Sequence, residues 1–165
     1  MEKVLLLLII FIAFFSGCLN PFAPEEGELS GDLWKPQVTV GEMLQNFQTA
    51  YSLRDSLRYA DLIADEFVFQ YWDNSQPGHE RYDQWYRETE LKATGGMMRA
   101  YDRLDLRWGD YSAMENFSFP DSAAEFYVRY NLVVENYPPL TGFAYFRTRM
   151  GEDGRFRIVM WRDDF

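Results

Sequence analysis

Metal-ligating and redox-active side chains are nearly absent from this chain. It has one cysteine, Cys18, and one histidine, His79. A lone cysteine excludes an intramolecular disulfide and any cysteine-based metal cluster. A lone histidine without a cysteine partner leaves zinc short of the nitrogen and sulfur ligands it draws on. No metal or cofactor is therefore expected, and His79, in the loop Ser75-Gln76-Pro77-Gly78-His79-Glu80, reads as a solvated residue. There is no internal repeat, glycine-rich phosphate loop or nucleophile elbow. Positive charge is scarce too, with 16 Lys and Arg against 26 Asp and Glu, a net charge of −10. An acidic chain repels phosphate backbones, so no nucleic-acid partner is expected.

Long apolar runs are limited to one. Val4 to Phe15 is unbroken, shorter than the ~20 residues a membrane span needs and suited to the apolar region of a signal peptide. Lys3 precedes it, and Phe15-Ser16-Gly17-Cys18 ends it on two small residues and the cysteine. Residues 19–36 carry Pro21, Pro24, Pro36, Gly27 and Gly31 among Glu25, Glu26 and Glu28, a composition that keeps a chain extended and flexible. The boundaries are a leader over 1–17, a tether over 18–36 and one domain over 37–165. Aromatic residues are plentiful at 18%, and hydrophobic residues make up 47%, enough to bury a core rather than stay disordered.

The domain opens on Thr39-Val40-Gly41-Glu42, a capping box with Thr39 as N-cap, and Val38 and Met43 stand where a hydrophobic staple closes. Met43, Leu44, Phe47, Ala50 and Tyr51 then form one buried helical stripe. A second helix is expected over Leu57 to Ala64, burying Leu57, Ala60 and Ile63 or Ala64. Glu66 to Trp72 alternates as a strand, with Phe67, Phe69 and Tyr71 on one face. A third helix is expected from about Tyr82, with Trp85, Thr89, Ala93, Met97 and Tyr101 four apart. Gly95-Gly96 marks a stop or a bend in it.

Leu104–Trp108 and Ala113–Phe119 read as short strands, and Glu125–Glu135 and Phe143–Met150 as long alternating ones. Gly151-Glu152-Asp153-Gly154 turns the chain into Arg155–Arg162, which looks apolar on both faces. Asp61, Asp65, Glu66, Glu88, Glu90 and Glu115 are expected on solvated faces, with Glu88 and Lys92 spaced as a surface helix pair. Arg147, Arg149, Arg155 and Arg157, around the last hairpin, are expected to pair with acids.

Two resemblances follow from these residues. Phe15-Ser16-Gly17-Cys18 resembles the lipobox of bacterial lipoproteins, with Phe15 where Leu is commoner. It implies cleavage before Cys18, acylation of its sulfur (palmitate among the chains), and a lipid bilayer as partner, placing the domain outside the cytoplasm. Leu19 after the cysteine resembles the outer-membrane sorting pattern. The order of helices and strands resembles the nuclear-transport-factor-2-like (NTF2-like) superfamily, from about Val40 to Asp163. Its best local pieces are Arg54-Asp55, Ala64-Asp65-Glu66-Phe67 and the terminal Gly154-Arg155-Phe156-Arg157-Ile158 with Trp161.

That resemblance implies an α+β cone, a curved mixed or antiparallel sheet wrapped on N-terminal helices around a pocket. Phe47, Tyr51, Phe69, Tyr71, Trp85, Tyr130 and Phe146 are the expected pocket-lining residues, with core packing as the plainer role for such aromatics. Isomerase members use a helix tyrosine and two aspartates, and those positions fall here on Phe47, Tyr71 and Phe146. Phenylalanine neither donates nor accepts a hydrogen bond, and dehydratase members rely on pocket histidines that this chain lacks. The expectation is a non-catalytic, membrane-tethered binding or interaction domain with a small apolar ligand. The alternative is an isomerase-, cyclase- or dehydratase-type enzyme with Asp65 or Glu66 facing the pocket. The doubly apolar last strand also suggests a homodimer paired through the open face of the sheet.

Overall fold

The structure, a computed structural model, describes residues 33–73, 75, 81–109 and 123–164, the last without its side chain. The leader, Cys18, the tether up to residue 32, His79, Glu115 and the strand expected over 113–119 lie outside the described residues. Among those described, no helix is long and apolar enough to cross a membrane.

Helix α1 spans Val40–Leu53. The Thr39 hydroxyl accepts the Glu42 amide at 3.1 Å, satisfying one of the donors a helix start leaves open. The Glu42 carboxylate reaches past the cap to the Val38 amide at 2.8 Å. Of the two residues expected to form the staple, Met43 is fully buried and Val38 stays 50% exposed. The helix ends at Arg54, whose left-handed backbone (φ 57) returns its amide to the Tyr51 carbonyl at 3.0 Å. Asp55 then caps α2, Ser56–Leu62, accepting the Leu57 and Arg58 amides at 3.1 and 2.9 Å. This start sets the phase of α2 so that Tyr59 and Leu62 are buried, while Leu57, expected inside, is 80% exposed.

Strand β1, Ile63–Asp73, begins earlier than its alternation predicts. The segment expected to open the third helix is instead strand β2, Arg81–Tyr86, antiparallel to β1 with Trp72 opposite Tyr82 and Phe69 opposite Trp85. Aromatic pairs across strands stabilise such a ladder. The Phe69–Trp85 stack at 4.4 Å and the Trp72–Tyr82 edge contact at 5.1 Å outweigh the helical spacing that begins at Trp85. Helix α3 runs from Arg87 to Ala100 without a break at Gly95-Gly96. Its buried positions are Glu90, Thr94, Gly95 and Met98, a different face from the expected one.

Strands β3 (Leu104–Trp108), β4 (Ala123–Val134), β5 (Leu140–Met150) and β6 (Phe156–Asp164) complete a six-stranded sheet in the order β2-β1-β6-β5-β4-β3. Only the β1–β6 pair is parallel, which makes the sheet mixed. In β6 the register shifts between Thr148↔Ile158 and Arg147↔Met160, leaving Val159 as an extra residue. A bulge of this kind reverses which residues face inward. Phe156 and Ile158 point to the core before it, Trp161 and Asp163 after it. The apparent doubly apolar face of β6 is therefore a change of phase within the strand, not a strand buried on both sides.

Phe47, fully buried, stands at the middle of the core. Its ring lies 5.1–5.7 Å from those of Tyr51, Trp108, Tyr59 and Trp161, and 6.2 Å from Phe146. At the N-terminal end, buried Gln37 pairs with Phe156 both ways, accepting its amide at 2.8 Å and donating Nε2 to its carbonyl at 2.6 Å. Buried Asn46 ties the same segment to α1 through both polar groups of Lys35, at 2.8 and 3.0 Å.

Candidate functional site

Between α1 and the sheet lies an interior cavity of about 110 Å³. The rings of Tyr51, Trp108 and Trp161 wall it, and Leu106, Leu132 and Leu140 add apolar surface. Leu140 is 49% exposed, so the cavity reaches solvent beside the β4–β5 turn. Its polar groups include Tyr130 on β4 and Asp163 on β6, both buried. Burial, then the Asp163 charge and the hydrogen bond to that carboxylate, raise the Tyr130 phenol well above its ordinary pKa. Tyr130 owes its place to Gly142, its partner across the β4–β5 ladder. A Cβ at 142 would stand 2.8 Å from the phenol oxygen and 3.0 Å from Cζ.

The indoles differ in how they are held. Trp108 donates to the Leu44 carbonyl at 2.9 Å, which fixes its ring against α1. Trp161 Nε1 is buried with no hydrogen-bond partner among the described residues.

Beside this cavity lies a second buried carboxylate, Glu90 of α3. Its Oε1 accepts the Tyr59 hydroxyl at 2.6 Å and the Thr94 hydroxyl at 2.7 Å, and its Oε2 accepts the Trp85 indole N–H at 2.8 Å. Three such bonds offset the cost of burying a charge. Tyr51 feels the charge of both carboxylates. Burial raises its phenol pKa first and the Glu90 charge next, opposed by hydrogen bonding with the Thr94 and Tyr59 hydroxyls; Asp163 adds a smaller push upward.

Of the seven aromatic residues singled out in the sequence, Tyr51 and Tyr130 line the cavity. Phe47 and Phe146 are fully buried and pack against Trp108 and Trp161 from behind. Phe69, Tyr71 and Trp85 stack on one another across β1 and β2, with Phe69 also edge-on to Trp161 at 5.0 Å and Trp85 fastened to Glu90. The seven thus divide between the cavity wall, the central core and the β1–β2 ladder. Asp65 and Glu66 are exposed and ion-paired to Arg87 and Arg149, away from the interior cavity. Glu90, expected on a solvated face, is only 3% exposed.

A larger surface groove of about 380 Å³ lies between α2 and the β5–β6 hairpin. It brings Arg87, Arg149 and Arg157 against Asp61, Asp65 and Glu66, and its opposite charges balance. Arg157 is held by Asp153 at 2.7 Å, so all three arginines already have carboxylate partners. Such a groove offers a ligand little uncompensated charge, and the smaller interior cavity is the better candidate site. Among the described residues, no group of three or more His, Cys, Asp or Glu side chains could hold a metal ion.

Asp163 and Glu90 are the site residues that sequence reasoning missed. The signal for Asp163 was the clash of phases in β6, where Ile158 and Trp161 cannot share a face without a bulge. For Glu90 the only signal was its i, i+4 spacing to Thr94, which with Met98 makes a second possible stripe on α3.

This architecture is the NTF2-like fold: N-terminal helices held in a curved six-stranded sheet, with the cavity between them. A Mycobacterium tuberculosis protein of unknown function is similar over 85% of this chain and 76% of its own, at 13% identity and TM-score 0.58. A conserved protein from Planctomyces limnophilus is similar over 76% and 91%, at 14% identity and TM-score 0.58. A candidate scytalone dehydratase from Novosphingobium aromaticivorans is similar over 76% and 80%, at 10% identity and TM-score 0.56. Identities this low establish the fold alone. No protein-family model matches the sequence, and no curated protein matches it.

Proposed function

We propose that this chain is a membrane-tethered, non-catalytic binding domain of the bacterial cell envelope, with the interior cavity as its ligand site. The observation that carries the reading is the cavity itself, walled by aromatic rings and leucines with the Tyr130 phenol and the Asp163 carboxylate among its lining groups. Ligand sites are concave, mostly apolar and carry a few convergent polar groups. Support for the tether comes from the apolar leader and Phe15-Ser16-Gly17-Cys18. More than one acyl chain on Cys18 gives the stable anchoring that a single chain lacks.

Native mass spectrometry of the processed protein tests the ligand. A bound molecule of defined mass supports the reading, and binding of one that leaves the cavity residues unperturbed contradicts it. Metabolic labelling with a palmitate analogue tests the tether. Label that vanishes in Cys18→Ala supports it, and label that persists, or is absent from the wild type, removes it.

One observation favours an enzyme of isomerase, cyclase or dehydratase type, namely that Asp163 brings a carboxylate to the cavity wall. Turnover of a small carbonyl or alcohol substrate that Asp163→Asn abolishes would replace the binding reading. A homodimer is proposed through the outer face of the sheet, where Trp72, Tyr82, Tyr127 and Phe143 are each about half exposed. Aromatic residues and arginine are the residue types enriched at protein interfaces, and Arg162 lies 4.8–5.9 Å from the rings of Tyr145, Tyr82 and Tyr127. A monomer at every concentration in light scattering would remove this partner.

A further inference from the structure

Given the tethered reading above, the end of the domain that follows the tether has a surface chemistry of its own. Residues 33–38 are pinned there by polar groups. Asn46 holds both backbone groups of Lys35, Gln37 bonds twice to Phe156, and Asn46 Nδ2 donates to Gln37 Oε1 at 3.1 Å. Gln37 also keeps a left-handed backbone, φ 70, which a non-glycine residue holds only where its surroundings impose it. The side chains left outside are Leu33 and Val38, each about half exposed, with exposed Lys35 and Pro36. Trp34 packs partly on the core, and the Arg58 guanidinium lies 5.2 Å over its ring. Arg155 shares their shallow cleft with Asp61. On a chain of net charge −10, Lys35, Arg58 and Arg155 gather here against Asp61 and Glu42, the latter bound to the Val38 amide.

We infer that this end of the domain docks on the anionic phospholipid surface that carries the anchor. Trp34, Leu33 and Val38 lie at headgroup depth, and Lys35, Arg58 and Arg155 meet the phosphates. Indole rings settle at that depth, and each Lys or Arg near an anionic leaflet strengthens attachment about fivefold. The length of chain back to Cys18 makes a weak surface sufficient. A flexible linker as long as residues 18–32 has a root-mean-square span of roughly 20 Å, which keeps the domain beside the leaflet at an effective concentration on the order of millimolar. A surface too weak to recruit a free protein is then occupied most of the time.

Docking also sets the direction of the cavity. Gln37 sits at Phe156, the first residue of β6, whereas Leu140 opens β5 at the end of that strand remote from the 151–154 turn. At ~3.3 Å per residue, the 11 residues of β5 place the cavity mouth roughly 30 Å from the docked end. The mouth therefore faces away from the bilayer, and a ligand enters from the aqueous side. Trp72 lies toward the same remote end, since β1 runs parallel to β6 and pairs Gln70 with Arg162.

The acylated full chain, inserted by its own anchor into phosphatidylcholine vesicles with or without phosphatidylglycerol, tests this. Phospholipids brominated on their acyl chains quench a tryptophan held at the bilayer surface. With phosphatidylglycerol present, Trp34→Phe should remove most of the quenching and Trp72→Phe none of it. Lys35→Gln combined with Arg58→Gln should lower the ratio of docked to undocked protein about 25-fold, at about fivefold per cation. Quenching that survives Trp34→Phe, that disappears with Trp72→Phe, or that is equal in the two kinds of vesicle would overturn the inference. If the protein still sediments with the vesicles in those cases, the tether stands without the docking. A wild-type protein that sediments with neither vesicle has no anchor, and the tethered reading and this inference fall together. Should Trp34→Phe not fold, the charge variant and the two vesicle compositions decide.

Discussion

Replacing Glu90 with glutamine keeps the side chain's shape and removes its charge, so the loss measures what the buried carboxylate contributes. Glu90 accepts from Tyr59, Thr94 and Trp85 at 2.6, 2.7 and 2.8 Å. A hydrogen bond to a charged group is worth about 1.5–3 kcal/mol, against about 0.5–1.5 kcal/mol between neutral groups. Glutamine has one acceptor oxygen. If that oxygen keeps Tyr59 and Thr94, its amide N–H faces the Trp85 N–H, donor against donor.

One donor then loses its acceptor, costing about 1–3 kcal/mol, and the two surviving bonds weaken by about 1 kcal/mol each. The carboxylate's own desolvation, which glutamine is spared, offsets part of this. The net expectation for Glu90→Gln is a loss of about 2–3 kcal/mol. Urea unfolding followed by tryptophan fluorescence should show a midpoint lower by about 1–2 M at unchanged slope. In the Glu90→Gln background, Tyr59→Phe should cost about 1 kcal/mol less than in the wild type, because the bond it removes is already weakened. A midpoint within about 0.3 M of the wild type, or above it, would refute the argument, since the charge-assisted bonds from Tyr59 and Trp85 could not then be holding α3 to α2 and β2.

Other consequences are as specific. Gly142→Ala places a methyl against the Tyr130 ring and should cost about 1–3 kcal/mol in thermal unfolding, with displaced Tyr130 ring signals; no change would mean the ring does not lie across Gly142. Asp55→Ala removes the acceptor for two amides at the start of α2 and should cost about 1 kcal/mol in urea unfolding. Tyr51, Tyr59 and Tyr130 all have phenol pKa values raised above 10.0 by burial and neighbouring negative charge. Their contribution to stability is complete below the unfolded value near 10 and is lost as pH rises beyond it, because the unfolded state releases those protons first. Absorbance at tyrosinate wavelengths should therefore show these three ionising only with unfolding. A reversible titration of all tyrosines near pH 10 in the folded protein would contradict the buried network.

Helix α1 was legible because its information is local: Thr39 caps it and Met43, Leu44, Phe47, Ala50 and Tyr51 face one way. The long strands β4 and β5 and the turn at 151–154 were legible for the same reason, through alternation and glycine. The boundary between β2 and α3 was not. Trp85, Thr89, Ala93 and Met97 keep a helical spacing, and only pairing with the preceding strand β1 makes a strand of the first part. Leu57 was misplaced because a capping aspartate at residue 55 moves the start of α2, and with it the buried face.

The polar part of the site was the least legible. Asp163 reaches the cavity through a one-residue register shift at Val159, and Glu90 is buried only because Tyr59, Thr94 and Trp85, on three separate elements, supply its donors. The only marks these causes leave in the sequence are the clash of phases between Ile158 and Trp161 and the i, i+4 spacing of Glu90 and Thr94. The aromatic residues show the same limit in another form. Phe47, Tyr51 and Tyr130 look alike as apolar strand and helix positions, yet Phe47 fills the core while the two tyrosines face the cavity.

The central claim is that the space between α1 and the sheet is a ligand site rather than a packing defect. A high-resolution crystal structure of the protein isolated from its own cells tests it most directly. The account predicts density larger than a water molecule, flanked by Trp108 and Trp161. Leu106, Leu132 and Leu140 closed over one another, with the space between them filled by protein, would contradict it.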